Sequence, residues 1–445
     1  MTQIHSDFKG SETFKALQNW GVGATPPCLV KAYAQVKKAA LLAANEVNPS
    51  ISELIFNKTI RVIDQIINGE FNHLFKLPLK QGGAGTSLNM NMNEVIAHIV
   101  NAELGDNSVN YLDDINRYQS TNDTFNTAVT IIFLTHLDFI EKMVIELQEI
   151  LVEKEGAYSG ILITGRTEMQ SALPMTLGQV FSSYAGSIER DRWRFSKVKE
   201  RVRSSVLGGT ALGTCFSAPS KYLFAAERHL RKITGLSLPR SQNLVSDISM
   251  CDKFVEAASV YNALANSLFK ISSDFILYVF TGEIEHPHMQ YGSTIMPMKI
   301  NPVLLEFVKG LSIDISFETG KINEFSKNGQ LQLNPFLPFI LESEISIFES
   351  LKKSLNSLIY FIQHGKINRD VINNNLLKSG AIVNSLRPYC SYSKLKEVSE
   401  EVNRENPETH SHLLEIINRI TDLSMDFLED YTKPGGFTSF LKDNL

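Results

Sequence analysis

The stretch Met250–Val279, MCDKFVEAASVYNALANSLFKISSDFILYV, decides the fold. Apolar side chains recur at Phe254, Ala257, Ala258, Tyr261, Leu264, Leu268, Ile271 and Phe275, three or four residues apart. That period places them on one stripe of an α-helix. Lys270 and Asp274 interrupt the run before it reaches the roughly 20 consecutive apolar residues that a bilayer span requires. A helix of this length hides little surface alone, so its stripe needs other long helices against it.

Partners for it are present. Thr127–Val152 carries Ala128, Ile131, Ile132, Phe139, Met143, Leu147 and Ile150 at the same intervals, with Thr135 on the same face. Further patterns run from about Pro302 through Ile322 and from about Glu342 to His364. Strict alternation is rare, so strand content is expected to be low. Beyond Ile367 the chain is more polar and its patterns are shorter, which reads as a small C-terminal helical domain.

Composition sets the outer limits. The chain has 445 residues and is 43% hydrophobic, enough for a large core in two or three domains. Lys+Arg total 43 against 48 Asp+Glu, a net charge of −5, which leaves no electrostatic footprint for nucleic acid or an anionic membrane. An anionic ligand must therefore be gathered by local donors. Cys28, Cys215, Cys251 and Cys390 lack CxxC spacing, which suits a reducing compartment and argues against a disulfide framework or a zinc site. Met1–Gly10 lacks the apolar core of a signal peptide, so the cytoplasm is the expected location.

Four segments are too polar, or too rich in glycine and hydroxyls, for their helical surroundings. Gln81–Val95, QGGAGTSLNMNMNEV, joins permissive glycines to Thr86 and Ser87, with Asn89, Asn91 and Asn93 behind; it reads equally as a polar turn that caps a helix. Asn116–Asp123, NRYQSTND, offers Ser120, Thr121, Asn122 and Asp123 directly before a long helix. One such residue makes a cap, whereas four leave donors over for a carboxylate. Thr164–Thr176, TGRTEMQSALPMT, groups Arg166, Thr167 and Glu168 and reads either as a site or as a solvated loop. Tyr291–Pro302, YGSTIMPMKINP, carries Ser293, Thr294, Lys299 and Asn301 in a loop with Gly292, Pro297 and Pro302; loop and catalytic lid both fit.

Together these segments resemble the aspartase/fumarase superfamily. GSTIMPMKINP is similar to that family's GSSxMPxKxNP signature, and the other three segments resemble its remaining blocks in order and spacing. TFKALQNW at 13–20, GGTALGT at 208–214 and GQLQLN at 329–334 extend the likeness from about Gly10 to about Pro388. The resemblance implies an all-α, three-domain fold: an N-terminal domain over 1–120, a central long helical bundle over 121–367 and a small C-terminal domain over 368–445. It implies a homotetramer whose active sites are composite, each built from three subunits, acting on a small dicarboxylate without metal or other cofactor.

The implied reaction is anti β-elimination to fumarate. Ser293 would be the base, held as alkoxide by N–H groups and by the charge of Lys299. Thr86, Ser120, Thr121 and Thr294 would grip the carboxylate that gathers charge. Thr167, Lys299 and Asn301 would hold the other carboxylate, with Asn122 and Thr167 near the leaving group. The departure is Glu168, where fumarases and some aspartases have His and other aspartases have Gln. None of the ten histidines falls in the matched motifs. A hydroxide leaving group needs a proton donor, whereas ammonia leaves with less help, and Gln332 also looks aspartase-like. The expected activity is therefore an ammonia-lyase acting on L-aspartate or a related amino dicarboxylate, with Glu168 as a catalytic candidate. Fumarate hydratase is the alternative, and a catalytically retired homologue is the reading from outside enzymology.

Overall fold

The computed structural model describes residues 10–437. The reading of Met1–Lys9 as lacking a signal-peptide core lies outside the described residues. Helices α1 (Ser11–Trp20), α2 (Pro27–Val47), α3 (Glu53–Ile67) and α4 (Thr86–Leu104) come first. Helix α5 (Thr121–Ala157) leads to strands β1 (Leu162–Thr167) and β2 (Gln170–Thr176), then α6 (Leu177–Val202), α7 (Ser220–Thr234) and α8 (Leu244–Ser249). After α9 (Asp252–Phe280) come β3 (Ile284–Glu285), α10 (Val303–Lys327), α11 (Leu337–His364) and β4 (Lys366–Ile367). The chain continues through α12 (Arg369–Lys378), α13 (Ala381–Ser385), α14 (Tyr392–Glu405), α15 (His410–Ile420) and α16 (Met425–Tyr431). The fold is all-α, and among the described residues its named strands form two short antiparallel pairs, β1–β2 and β3–β4.

The chain divides into two compact units. The first comprises residues up to Lys142, Trp193–Ala265 and Ser312–Lys352. Here α9 is the helix that its neighbours share. Phe254 stacks near Phe133 of α5 with centroids 4.6 Å apart, and Tyr261 meets Phe195 of α6 at 5.7 Å. Ser316 of α10 donates to Asn262 at 2.8 Å. Buried polar contacts fix the register: His136 Nδ1 of α5 lies 2.8 Å from the Glu344 carboxylate of α11, and its ring stacks on Phe348. At the other edge α2 packs along α7 and α3.

The second unit comprises Met143–Arg192, Asn266–Leu311 and the chain from Lys353 onward. Phe275 of α9 is 1% exposed and meets Phe181 and Tyr184 of α6 and Phe361 of α11, with centroids 5.0 to 5.7 Å apart. The C-terminal helices enclose a separate cluster around Leu386, Val398, Leu413, Ile417 and Leu428.

All the stripe positions of α9 named from sequence are buried. In α5 the axis was right and three positions were not: Phe139 is 42% exposed, Thr135 is exposed as well, and Ile150 is only half-buried. Phe133, Leu137 and Ile140 take the buried face around Phe139, because 3.6 residues per turn drifts away from a strict seven-residue pattern over a long helix. Among the described residues α9 is the single helix long and apolar enough to cross a membrane; it carries a Lys270–Asp274 ion pair one turn apart.

Phe275→Ala would open a cavity among three aromatic rings. The expected loss is about 3–5 kcal/mol of unfolding free energy, read by urea denaturation. A loss under about 1 kcal/mol would show that this cluster does not hold the second unit together.

Candidate active site

In the first unit the N-termini of α4 and α5 meet. Gly85, at φ +89°, caps α4 against the Phe125 ring; a Cβ there would lie 2.8 Å from a ring carbon, so only glycine allows the approach. Thr86 is the first helical residue and its side chain is exposed. One turn on, Asn89 Nδ2 donates to Thr121 Oγ1 at 3.0 Å and to Asn116 Oδ1 at 3.2 Å. Thr86 thus opens the helix whose Asn89, one turn on, bonds Thr121. Asn93 Nδ2 also donates to Asn116 Oδ1, at 3.1 Å, while Asn91 serves another end and donates to Thr13 of α1.

The reading of NRYQSTND as a cap is correct for two of its residues. Ser120 Oγ accepts from the Asn122 amide at 3.2 Å, and Asp123 Oδ1 accepts in return from the Ser120 amide at 2.9 Å. This is a capping box with Asp in the third helical position. Asp123 is fully buried, and its second oxygen accepts from the amides of Gly208 and Thr210, each at 3.0 Å. Asn122 Nδ2 donates to the Ala211 carbonyl at 2.8 Å. The GGTALGT loop is thereby docked on the start of α5. Burial lifts the Asp123 carboxyl to about 6 against the pull of those amides and of Lys37, while burial lowers the Lys37 ammonium to about 7. Lys37 escaped the sequence reading; it sits in a KK pair that gives no hint that one lysine is interior.

In the second unit Thr164–Thr176 is a β-hairpin and not a solvated loop. Thr167 pairs with Gln170 across a two-residue turn, in which Glu168 and Met169 take φ of +50° and +61°. Turns of this hand usually announce themselves with Asn or Gly, and neither is present. Glu168 and Thr167 are exposed at the tip. The hairpin root is held by Arg166, whose guanidinium donates to both oxygens of buried Glu283 at 2.7 and 3.0 Å. Glu283 also accepts from Thr281 and from Asn375, at 2.9 and 3.1 Å. It lies at the end of α9, where the chain leaves for Ser293. No hydrogen bond joins Thr167 or Glu168 to the serine loop among the described residues.

That loop, 291–302, is irregular and mostly exposed. Asn301 Nδ2 donates to the Gly292 carbonyl at 2.8 Å and closes its base. Gly292 lies flat against the Lys299 carbonyl, where a Cβ would overlap the oxygen. Within the ring so formed, Ser293 Oγ accepts from the amides of Ile295 and Met296 at 3.2 and 3.1 Å. Two N–H dipoles aimed at one hydroxyl oxygen favour its deprotonated form. Thr294 and Lys299 are exposed on the same loop. In the first unit the GQLQLN turn is fixed by Asn334, which donates to the carbonyls of Phe325 and Ser326 and leaves Gln332 exposed.

A family model described as Lyase matches residues 18–316. The chain belongs to the aspartase/fumarase superfamily of lyases. It is 31% identical to the aspartate ammonia-lyase of Helicobacter pylori, covering 97% of this chain and 94% of that one. It is 30% identical to the class II fumarate hydratase of Bacillus subtilis, covering 89% of each. A solved structure described as fumarate lyase:delta crystallin from Brucella melitensis, bound to cobalt, superposes with a TM-score of 0.87 at 30% identity. It covers 94% of this chain and 93% of its own. The class II fumarase of Schistosoma mansoni gives 0.88 at 23% identity over 96% and 95%, a likeness of fold alone.

Gly292→Ala is expected to lower turnover by about 10²-fold or more, because the displaced loop loses the aim of its donors. The melting temperature should hardly move, since the loop buries little. Wild-type activity in this variant would show that the closed ring is not needed.

Proposed function

We propose that the enzyme eliminates ammonia from L-aspartate, or a related amino dicarboxylate, to give fumarate. The observation that carries this reading is the pair of amides donating to Ser293 Oγ. Serine is a poor base at its ordinary pKa, and those N–H groups, joined by the charge of Lys299, supply what an alkoxide needs. Ser293 then removes a proton from the carbon beside one carboxylate. The electron pair passes into that carboxylate as an enediolate, and the C–N bond on the adjacent carbon breaks.

Thr86, Ser120, Thr121 and Thr294 meet the enediolate; Thr167, Lys299 and Asn301 hold the second carboxylate. Asn122 and Thr167 flank the amine. Glu168 faces the amine in the place of an imidazole. The runner-up is hydration of fumarate, favoured by the class II fumarate hydratases among the relatives.

The working form is a homotetramer in which three protomers contribute these segments to each site. Support comes from apolar side chains left in water: Phe280 of α9, Phe307 and Phe317 of α10 and Trp193 of α6. Light scattering of the purified protein tests the assembly; a monomer with full activity would overturn it. Four free cysteines fit a cytoplasmic setting.

Consumption of fumarate only in the presence of ammonium, followed by its absorbance, is the decisive assay. Consumption without ammonium would establish the hydratase, and inertness under both conditions would argue for a different amine or for retirement. Ser293→Ala is expected to abolish turnover while the oligomer persists; retained activity would remove the base. Glu168→Gln should change leaving-group preference or the pH profile with the fold intact. Unchanged values in both would take Glu168 out of the chemistry.

A further inference from the structure

We infer that Lys37, a buried lysine, sets the direction of a hydrogen-bond relay that ends on Thr121 and turns its hydroxyl proton toward the ligand. The inference rests on the reading of Thr121 as a carboxylate donor. Lys37 is fully buried in α2, and its Nζ donates to Asn116 Oδ1 at 3.1 Å and to Gln119 Oε1 at 2.9 Å. A lysine nitrogen in such a site presents N–H bonds, so both amides must show it their oxygens. With its oxygen fixed, Asn116 accepts from Asn89 and Asn93 as well. Asn89 is thereby held with its NH₂ inward, and the same NH₂ donates to Thr121 Oγ1.

A hydroxyl whose oxygen already accepts an inward bond has its single proton free to point outward. Were Asn116 turned over, Asn89 would present its oxygen, and Thr121 would donate inward to it. The orientation would then be lost without any change of shape. Deprotonation of Lys37 leaves N–H bonds for both oxygens, so the direction holds on both sides of its titration. The lysine touches no substrate in this scheme. It is a positioning residue, and Thr121 is the group that meets the anion.

The experiment is a double-mutant cycle on the rate of fumarate formation from L-aspartate, or from L-malate if that is the substrate turned over. Lys37→Met keeps the length of the side chain and removes its donors. We expect kcat/KM to fall roughly tenfold in the wild-type background and less than about twofold in Thr121→Ala, within the range that groups in one network show. Lys37→Gln restores an N–H donor and should recover part of the loss. It also serves as the variant for the cycle should Lys37→Met fail to fold. Equal losses in both backgrounds would mean that Lys37 acts on stability alone and would overturn the relay. A silent Thr121→Ala would overturn the carboxylate reading of Thr121 instead, and the relay with it.

Discussion

A hydroxyl oxygen serves a developing charge only when something behind it has already decided which way its proton and lone pairs face. Thr121 and Ser293 are two hydroxyls so decided. Asn89 donates into Thr121 from the helix side, and the amides of Ile295 and Met296 donate into Ser293 from within a closed loop. The two arrangements use the same kind of bond for opposite ends. At Thr121 it leaves a proton to give away; at Ser293 it favours oxygen with no proton at all. Preorganised dipoles of this sort need no rearrangement as charge moves.

Rigid supports are what make such aiming possible, and long helices supply them. In the first unit α9 touches α5, α6 and α10 through Phe254, Tyr261 and Asn262; in the second it touches α6 and α11 through Phe275. Polar segments then sit at helix starts or between helix ends. Several are tied down by a buried carboxylate: Asp123 collects three amides, and Glu283 collects Arg166, Thr281 and Asn375. A carboxylate out of water is costly unless its oxygens are fully used, and that cost makes each one an exacting clamp.

The helices were legible because burial imposes a period on the chain. Every named position on α9 was right, whereas α5 missed at Thr135 and Phe139, which fall off a drifting stripe, and Ile150 is only half-buried. The hairpin at 162–176 was not legible as strand, since Pro174 lies within it and its turn uses Glu168 and Met169 in place of glycine. Of the site, residue types and spacing gave the serine loop and the caps, and the family likeness gave their roles. Neither could reveal Lys37. Lys37 and Lys38 are neighbours in sequence, yet one is interior and the other pairs with Asp64 at 2.5 Å. Only the fold separates them.

The tip of the β1–β2 hairpin has a further consequence for how such enzymes diversify. Glu168 occupies a two-residue connection, contributes nothing to the core and sits beyond the Arg166–Glu283 anchor that fixes the ribbon. Exchanging its side chain therefore disturbs no packing and no ladder bond. A position with that freedom can carry an acid, an amide or an imidazole without disturbing the ribbon beneath it. The chemistry of the tip is thus mechanically uncoupled from its support, and the first can drift while the second is kept.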